Sequence, residues 1–107
     1  MKKLTFTIGT QDIDTKEFYN IDKMIDTFLS FLDYATITKC QGCYKYKDGS
    51  ICKEPSFKIE IILFDKDYKK QVEICKAIES ACNSYNQESY LYEIQTPNDY
   101  NATLVYC

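Results

Sequence analysis

The sequence contains no histidine, no tryptophan and no arginine, and all 13 of its basic residues are lysines. Because histidine is the side chain that normally titrates near neutral pH, acid–base catalysis would fall to carboxylates, lysine, tyrosine or cysteine with shifted pKa values. Because arginine supplies the bidentate fork for phosphate and for guanine edges, a common means of reading nucleic acids is also missing. These absences favour a protein that is not an enzyme.

Net charge and hydropathy further limit the classes of protein to which the chain could belong. The net charge is −3, with lysines and acidic residues interleaved, so the basic stripe typical of nucleic-acid binders is missing. No run of about 18 apolar residues occurs, and the N-terminus lacks the apolar region of a signal peptide. We therefore expect a cytoplasmic protein without a nucleic-acid or membrane partner, whose six cysteines are thiols.

Apolar periodicity and turn signals predict one α+β domain over residues 1–107. The predicted elements are a strand over residues 2–9, a helix over 20–32, a hairpin over 34–64 turning at Asp48-Gly49, a helix ending near residue 85, and strands over 90–95 and 102–106. Right-handed crossovers then give a ferredoxin-like βαββαβ sandwich. Its antiparallel sheet has strand order 4-1-3-2 with both helices on one face, and the last segment is an extra C-terminal strand.

Polar residues that precede each predicted helix are its candidate N-caps, because a short polar side chain there accepts hydrogen bonds from the free N–H groups of the first turn. They are Asn20 or Asp22 for the first helix, and Asp65 or Asp67 for the second helix.

Polar side chains are predicted to meet at one edge of this sheet. Strand one lies antiparallel to strands three and four, so its end meets the beginnings of both neighbours. The candidate ligand-binding residues at this edge are Asp12, Glu54, Ser56, Gln87, Glu88 and Ser89. Such a cluster suits a cation or the polar end of a ligand. Ordinary capping, turn and surface roles are the favoured explanation of the same residues.

Tyrosines form a second candidate surface. In an α/β sandwich one sheet face carries no helices, and an aromatic face of this kind is typically covered by a partner. The tyrosines predicted to lie there are Tyr34, Tyr44, Tyr46, Tyr90 and Tyr92. We therefore expect a homodimer that uses this face.

The hairpin cysteines suggest a zinc site. Cys40 and Cys43 have C-x-x-C spacing, and a four-residue loop would set Cys43 opposite Cys52. Residues three apart on an extended strand point to opposite faces, so chelation requires a bulge at Gly42. With no histidine and no second C-x-x-C motif, we expect neither a bound metal nor a cofactor, and a zinc-stabilised hairpin is kept as an alternative.

Several short motifs occur in an order that resembles a family of small proteins carried by phages and prophages of Firmicutes. They are F-T-I-G at residues 6–9, D-I-D-T-K at 12–16, D-Y-A-T-I at 33–37, G-C-Y at 42–44, D-G at 48–49, E-P-S at 54–56 and N-Q-E-S at 86–89. The chain departs from the pattern at Tyr34, Pro55 and Lys58. The resemblance implies a phage or prophage accessory protein acting in the bacterial cytoplasm, and it supplies no reaction.

The leading hypothesis from the sequence is a non-enzymatic binding or regulatory protein of phage origin that engages a host protein or a small signalling ligand. One alternative is a metal-dependent or carboxylate-based enzyme module using Asp12, Glu54 and Glu88. The second alternative is the zinc-stabilised hairpin.

Overall fold

One antiparallel sheet and two helices make up the fold in a computed structural model that describes residues 1–64 and 68–107. The elements are β1 (Lys2–Gly9), α1 (Ile21–Leu29), β2 (Thr36–Lys45), β3 (Ile51–Leu63), α2 (Tyr68–Ser84), β4 (Ser89–Thr96) and β5 (Asp99–Tyr106). Within these residues the strand order is β2-β3-β1-β4-β5, and all neighbouring strands are antiparallel. The α+β class is therefore confirmed, and the last segment is a full strand paired with β4.

Strand β1 lies at the centre of the sheet and contributes much of the core. It pairs with β3 on one side and with β4 on the other. Its alternate residues Leu4, Phe6 and Ile8 are completely buried, as the period-two pattern predicted. Side chains from both helices, including Phe28 and Ile78, join the same core cluster. Both helices thus cover the face to which these β1 residues point.

Helix α1 begins as predicted and ends earlier. The Asn20 side chain accepts a hydrogen bond from the Lys23 N–H at 3.0 Å and so caps the first turn. The helix ends at Leu29 rather than at residue 32. There the Ser30 hydroxyl donates to the Thr27 carbonyl at 2.6 Å, which satisfies a carbonyl of the last turn. The predicted caps of the second helix, Asp65 and Asp67, lie outside the described residues.

The β2–β3 hairpin has a different register from the predicted one. The ladder closes at the Lys45–Ile51 pair, so the loop spans residues 46–50 and is longer than the four residues assumed. Tyr44 therefore lies opposite Cys52, and Cys43 lies opposite Lys53. A shift of one residue places every side chain on the other face of a strand.

The hairpin cysteines consequently do not converge. Gly42 pairs with Glu54 in an uninterrupted ladder, so the expected bulge is not there. Cys43 points to the face opposite that of Cys40 and Cys52, which removes the geometry of the predicted zinc site. Among residues 1–64 and 68–107, no group of three or more acidic, cysteine or histidine side chains is placed to hold a metal ion. In the same part of the chain, no helix is long and apolar enough to cross a membrane.

The buried Phe28 ring provides a test of the core. Its centroid lies 5.5 Å from that of Phe57 in an edge-to-face arrangement, and the side chain has no exposed surface. We expect Phe28→Ala to lower the free energy of unfolding by about 3–5 kcal/mol, because lost burial and a residual cavity add. Urea denaturation followed by circular dichroism measures the change. The control is Phe64→Ala at a position that is 76% exposed. Equal losses in the two variants would contradict this packing.

Candidate functional site

A pocket of about 340 Å³ lies where β1 ends beside β3 and the α2–β4 connection. Its volume is within the range typical of small-molecule sites. The pocket is lined by Gly9, Gln11, Ile13, Lys16, Tyr44, Tyr46, Glu54, Gln87, Glu88 and Ser89. Four of the six residues predicted at this edge, Glu54, Gln87, Glu88 and Ser89, are thus brought together.

Glu54 is the acidic side chain with the most defined placement in the pocket. One of its oxygens, Oε2, accepts a hydrogen bond from the Gln11 N–H at 2.8 Å. The next residue along β3, Pro55, accepts a hydrogen bond through its carbonyl from the Thr10 hydroxyl at 2.7 Å. A hydrogen bond to a carboxylate is stronger than one between neutral groups. The carboxylate is therefore fixed across the end of β1.

The α2–β4 connection forms a second wall and is held from both sides. The Gln87 amide is buried, and its Nε2 donates to the carbonyls of Gln11 and Tyr85, each at 3.1 Å. The Gln87 N–H donates to the Cys82 carbonyl at 3.1 Å, near the end of α2. The neighbouring Glu88 is exposed at the pocket, so its carboxylate is accessible to a ligand.

Two tyrosines from the hairpin form a third, aromatic wall. The Tyr44 and Tyr46 ring centroids are 5.4 Å apart with the planes at 74°. The Tyr44 hydroxyl donates to Oε1 of Gln11. Burial raises the pKa of Tyr44, and hydrogen bonds with Cys52 and Tyr46 raise it further, so its hydroxyl is neutral at physiological pH. The wall therefore offers ring faces and a neutral donor.

Formal charges in the pocket favour a cation. The described lining residues include two carboxylates, Glu54 and Glu88, and one ammonium, Lys16. Together they leave one net negative charge on a concave surface, which raises the local concentration of a cationic ligand. Lys16 itself has a positive φ of 63°, so its position depends on the turn that precedes it.

Asp12 was predicted to join this site, but it lies outside the pocket lining. Its Oδ2 accepts from the Tyr19 hydroxyl at 2.6 Å, and its Oδ1 accepts from the N–H groups of Asp14 and Thr15 at 2.9 and 3.0 Å. The Asn86 side chain donates to the same Oδ1 at 3.1 Å. These contacts, above all the one from Tyr19, hold the pKa of the Asp12 carboxyl well below its usual value of 3.8. The Asp12 carboxylate thus orders its own loop and ties that loop to Asn86.

Ser56 also lies beside the pocket rather than in its lining. It is buried, pairs with Gly9 across the ladder, and donates its hydroxyl to the Glu54 carbonyl at 3.1 Å. Its hydroxyl therefore supports the strand backbone that carries Glu54.

The predicted tyrosine surface is wrong for two of its five members. Tyr92 is the register partner of Phe6 and stacks on it with centroids 4.8 Å apart, and Tyr90 is only 5% exposed in the core. Both therefore lie on the helix-covered face. Tyr34 donates its hydroxyl to the Ile62 carbonyl at 2.5 Å. The homodimer stays a prediction, now without Tyr90 and Tyr92 to support it.

Sequence reasoning missed several lining residues, notably Gly9, Gln11 and Lys16. The available signal was their place in the chain: Gly9 ends the first motif, and Lys16 closes the D-I-D-T-K motif. Both motifs flank the strand end that topology had already placed at the site.

Comparison with known proteins gives a structural match. No family model matches the chain, and neither does any curated protein. Two solved structures match it with a TM-score of 0.71 and 20% sequence identity, covering 99% of this chain and 89% of theirs. One is a phage SAM lyase in complex with S-methyl-5'-thioadenosine, and the other is a phage SAM lyase in the apo state. At this identity the likeness shows a shared fold.

These neighbours correct the functional interpretation of the sequence. Both are structures of an enzyme that match almost the whole chain, so the prediction of a non-enzymatic binding or regulatory protein is wrong. The absence of histidine excludes one means of catalysis and not enzymes as a class. Both neighbours are phage proteins, in agreement with the expected phage origin. Membership of the Firmicutes phage family stays a prediction.

Asp12 provides a pH-dependent test of the loop. Because its pKa is lowered in the folded chain, its stabilising contribution is present above the usual value of 3.8 and is lost as the pH falls below it. We expect Asp12→Asn to be less stable than wild type at pH 7 and the difference to shrink between about pH 4 and pH 2. Thermal unfolding across this range measures it.

The control for this experiment is Asp26→Asn, which removes one carboxylate from an exposed position on α1. We expect it to change the free energy of unfolding at pH 7 by less than about 0.5 kcal/mol. A gap between wild type and Asp12→Asn that stayed constant from pH 7 to pH 2 would contradict the role assigned to Asp12.

Proposed function

We propose that this chain is a phage enzyme of the SAM lyase class, which cleaves S-adenosylmethionine in the pocket at the end of β1. The observation that carries the proposal is the set of charged and aromatic side chains that line the pocket, in a fold shared with phage SAM lyase. The carboxylate-based enzyme considered from the sequence is retained in altered form, with Glu54 and Glu88 in the site and Asp12 in the adjacent loop.

Charge complementarity supports this substrate. S-adenosylmethionine carries a sulfonium, an ammonium and a carboxylate, which leave one net positive charge. The pocket presents Glu54 and Glu88 to the two cationic groups and Lys16 to the carboxylate. Opposite net charges steer a ligand into a site and fix its orientation.

The tyrosine wall suits the remaining parts of S-adenosylmethionine. The ring faces of Tyr44 and Tyr46 suit stacking with a flat adenine or contact with a sulfonium cation. Because the Tyr44 hydroxyl stays neutral, it adds no charge that would compete with Glu54 and Glu88.

The bonds that must break and form define the reaction. Release of S-methyl-5'-thioadenosine requires cleavage of the bond between the sulfonium sulfur and Cγ of the aminobutyrate chain. The sulfur leaves with the electron pair as a neutral thioether. We propose that an oxygen of the substrate's own carboxylate forms the new bond to Cγ and closes a five-membered lactone. This route needs no proton acceptor, which suits a chain without histidine.

The same route explains how the site accelerates cleavage. The carboxylate and the sulfonium neutralise each other as the new bond forms, so the transition state is less charged than the substrate. A pocket that takes these groups partly out of water favours such a transition state. The thioether product is neutral and loses its attraction to Glu54 and Glu88, which promotes its release.

Three further proposals concern the setting of the enzyme. We propose that the strand order β2-β3-β1-β4-β5 represents the ferredoxin-like arrangement with β5 added at one edge. The protein acts in the cytoplasm of an infected bacterium, where S-adenosylmethionine is made. A homodimer that covers the helix-free sheet face stays a prediction.

Product analysis tests the reaction. We expect purified protein to convert S-adenosylmethionine to S-methyl-5'-thioadenosine and homoserine lactone, identified by liquid chromatography and mass spectrometry. Glu54→Gln should lower kcat/KM by roughly 10- to 100-fold, the value of one hydrogen bond to a charged group. Asp26→Asn, which removes a carboxylate outside the pocket lining, is the matched control. Product formation no faster than spontaneous breakdown would refute the proposal, and a vinyl product would refute the lactone route.

The salt dependence of ligand binding tests the electrostatic part of the proposal. We expect S-adenosylmethionine to bind more tightly than neutral S-methyl-5'-thioadenosine at low ionic strength. The difference should shrink as salt rises, since screening weakens attraction to the partly exposed Glu54 and Glu88. Initial rates at about 20 and 500 mM salt give KM for S-adenosylmethionine and the inhibition constant of S-methyl-5'-thioadenosine, and equal values at low salt would contradict the charge argument.

A further inference from the structure

Gly9 occupies the last position of β1 with ordinary strand geometry. Among the described glycines Gly49 has a positive φ, 89°, whereas Gly9 has none, so backbone conformation does not require glycine at position 9. A glycine within a strand has a cost, because it loses more conformational freedom on folding than any other residue. The presence of glycine at position 9 must therefore have a reason other than backbone conformation.

That reason is space for the Glu54 carboxylate. A Cβ atom at Gly9 would lie 2.5 Å from Oε1, 2.6 Å from Cδ and 2.6 Å from Oε2 of Glu54. Separations this short are far inside van der Waals contact. The carboxylate thus lies directly over the Cα of Gly9, in the volume that any side chain at position 9 would fill.

In that place the two carboxylate oxygens have different partners. Oε2 accepts from the Gln11 N–H, while Oε1 accepts no hydrogen bond from residues 1–64 or 68–107. Both Gly9 and Glu54 line the pocket. The arrangement leaves Oε1 available to a ligand, with its position set by the backbone of β1.

We infer that Gly9 is a positioning residue, which acts by letting the Glu54 carboxylate lie across β1 with one oxygen held by Gln11 and the other presented to a cationic group of the substrate. This inference rests on the proposed function, because the cation is one of the charged groups of S-adenosylmethionine.

The inference predicts a small effect on stability and a large effect on binding. In Gly9→Ala the new methyl group displaces the end of a flexible side chain and not a backbone segment, so the fold tolerates it. Alanine also restricts the unfolded chain more than glycine does. Loss of the hydrogen bond from the Gln11 N–H offsets this gain, so we expect an unfolding temperature close to that of Glu54→Ala, together with weaker binding of the cationic substrate.

Gly42→Ala is the matched control, since Gly42 lies in β2 on the far side of β3 and outside the pocket lining. A Cβ atom there would lie 3.4 Å from Oγ of Ser56 and 4.0 Å from Cβ of Glu54, both ordinary contacts. It introduces the same methyl group on the same sheet without displacing the carboxylate.

The experiment measures, from initial rates, KM for S-adenosylmethionine and the inhibition constant of neutral S-methyl-5'-thioadenosine in wild type, Gly9→Ala, Gly42→Ala, Glu54→Ala and the Gly9→Ala/Glu54→Ala double variant. We expect Gly9→Ala to weaken S-adenosylmethionine binding by about tenfold or more and to leave the neutral ligand within about twofold. The double variant should match Glu54→Ala, because the two changes act through one carboxylate. The double variant also has room for the methyl group, so it folds even if the single variant does not.

The outcomes separate the two proposals. If wild type neither binds nor cleaves S-adenosylmethionine, the proposed function is refuted and this inference with it. If wild type binds and Gly9→Ala matches Gly42→Ala, or if the effects of Gly9→Ala and Glu54→Ala simply add, this inference alone is overturned. Equal weakening of the charged and the neutral ligand would also overturn it, since a displaced carboxylate affects the cation selectively.

Discussion

The placement of β1 between β3 and β4 is the constraint on which the rest of the molecule depends. Pairing on both sides buries its alternate residues under the two helices, and the pairing ends at Thr7 on the β4 side and at Gly9 on the β3 side. The chain therefore emerges from the middle of the sheet with neighbours on both flanks. Gln11 meets Glu54 on one flank and Gln87 on the other, and the pocket exists because these three segments converge there.

Local patterns predicted the elements well, and long-range pairing was harder. The alternation in β1 and the Asn20 cap depend on neighbouring residues alone, so the sequence displays them directly. The hairpin register depends on how many residues the turn leaves unpaired, and the Asp48-Gly49 signal is compatible with more than one loop length. The apolar pattern is likewise ambiguous about the end of α1. Apolar residues continue at helical spacing to Leu32, but the Ser30 hydroxyl closes the last turn before that residue.

The candidate site also contains some residues whose place could be predicted from the sequence and others whose place could not. Topology alone brought Glu54 and residues 87–89 to one edge, because strand ends follow strand order. It did not predict the orientation of Asp12, which is decided by backbone N–H groups two and three residues along the chain. The tyrosine pattern predicts the wrong face for Tyr92, because the sequence does not show that Phe6 is its register partner. If the proposed chemistry holds, composition is a poor guide to function, because a sulfonium substrate carries its own leaving group and the reaction requires little acid–base catalysis.

Gln11 uses three of its polar groups to join three different parts of the pocket. Its N–H holds Glu54 of β3, its side-chain oxygen receives the Tyr44 hydroxyl of β2, and its carbonyl receives the Gln87 amide of the α2–β4 connection. The walls are therefore not independent surfaces, because a shift of any one of them pulls on the same residue. A ligand that draws the hairpin inward would also move the α2–β4 connection, and the pocket would respond to its contents as one mechanical unit.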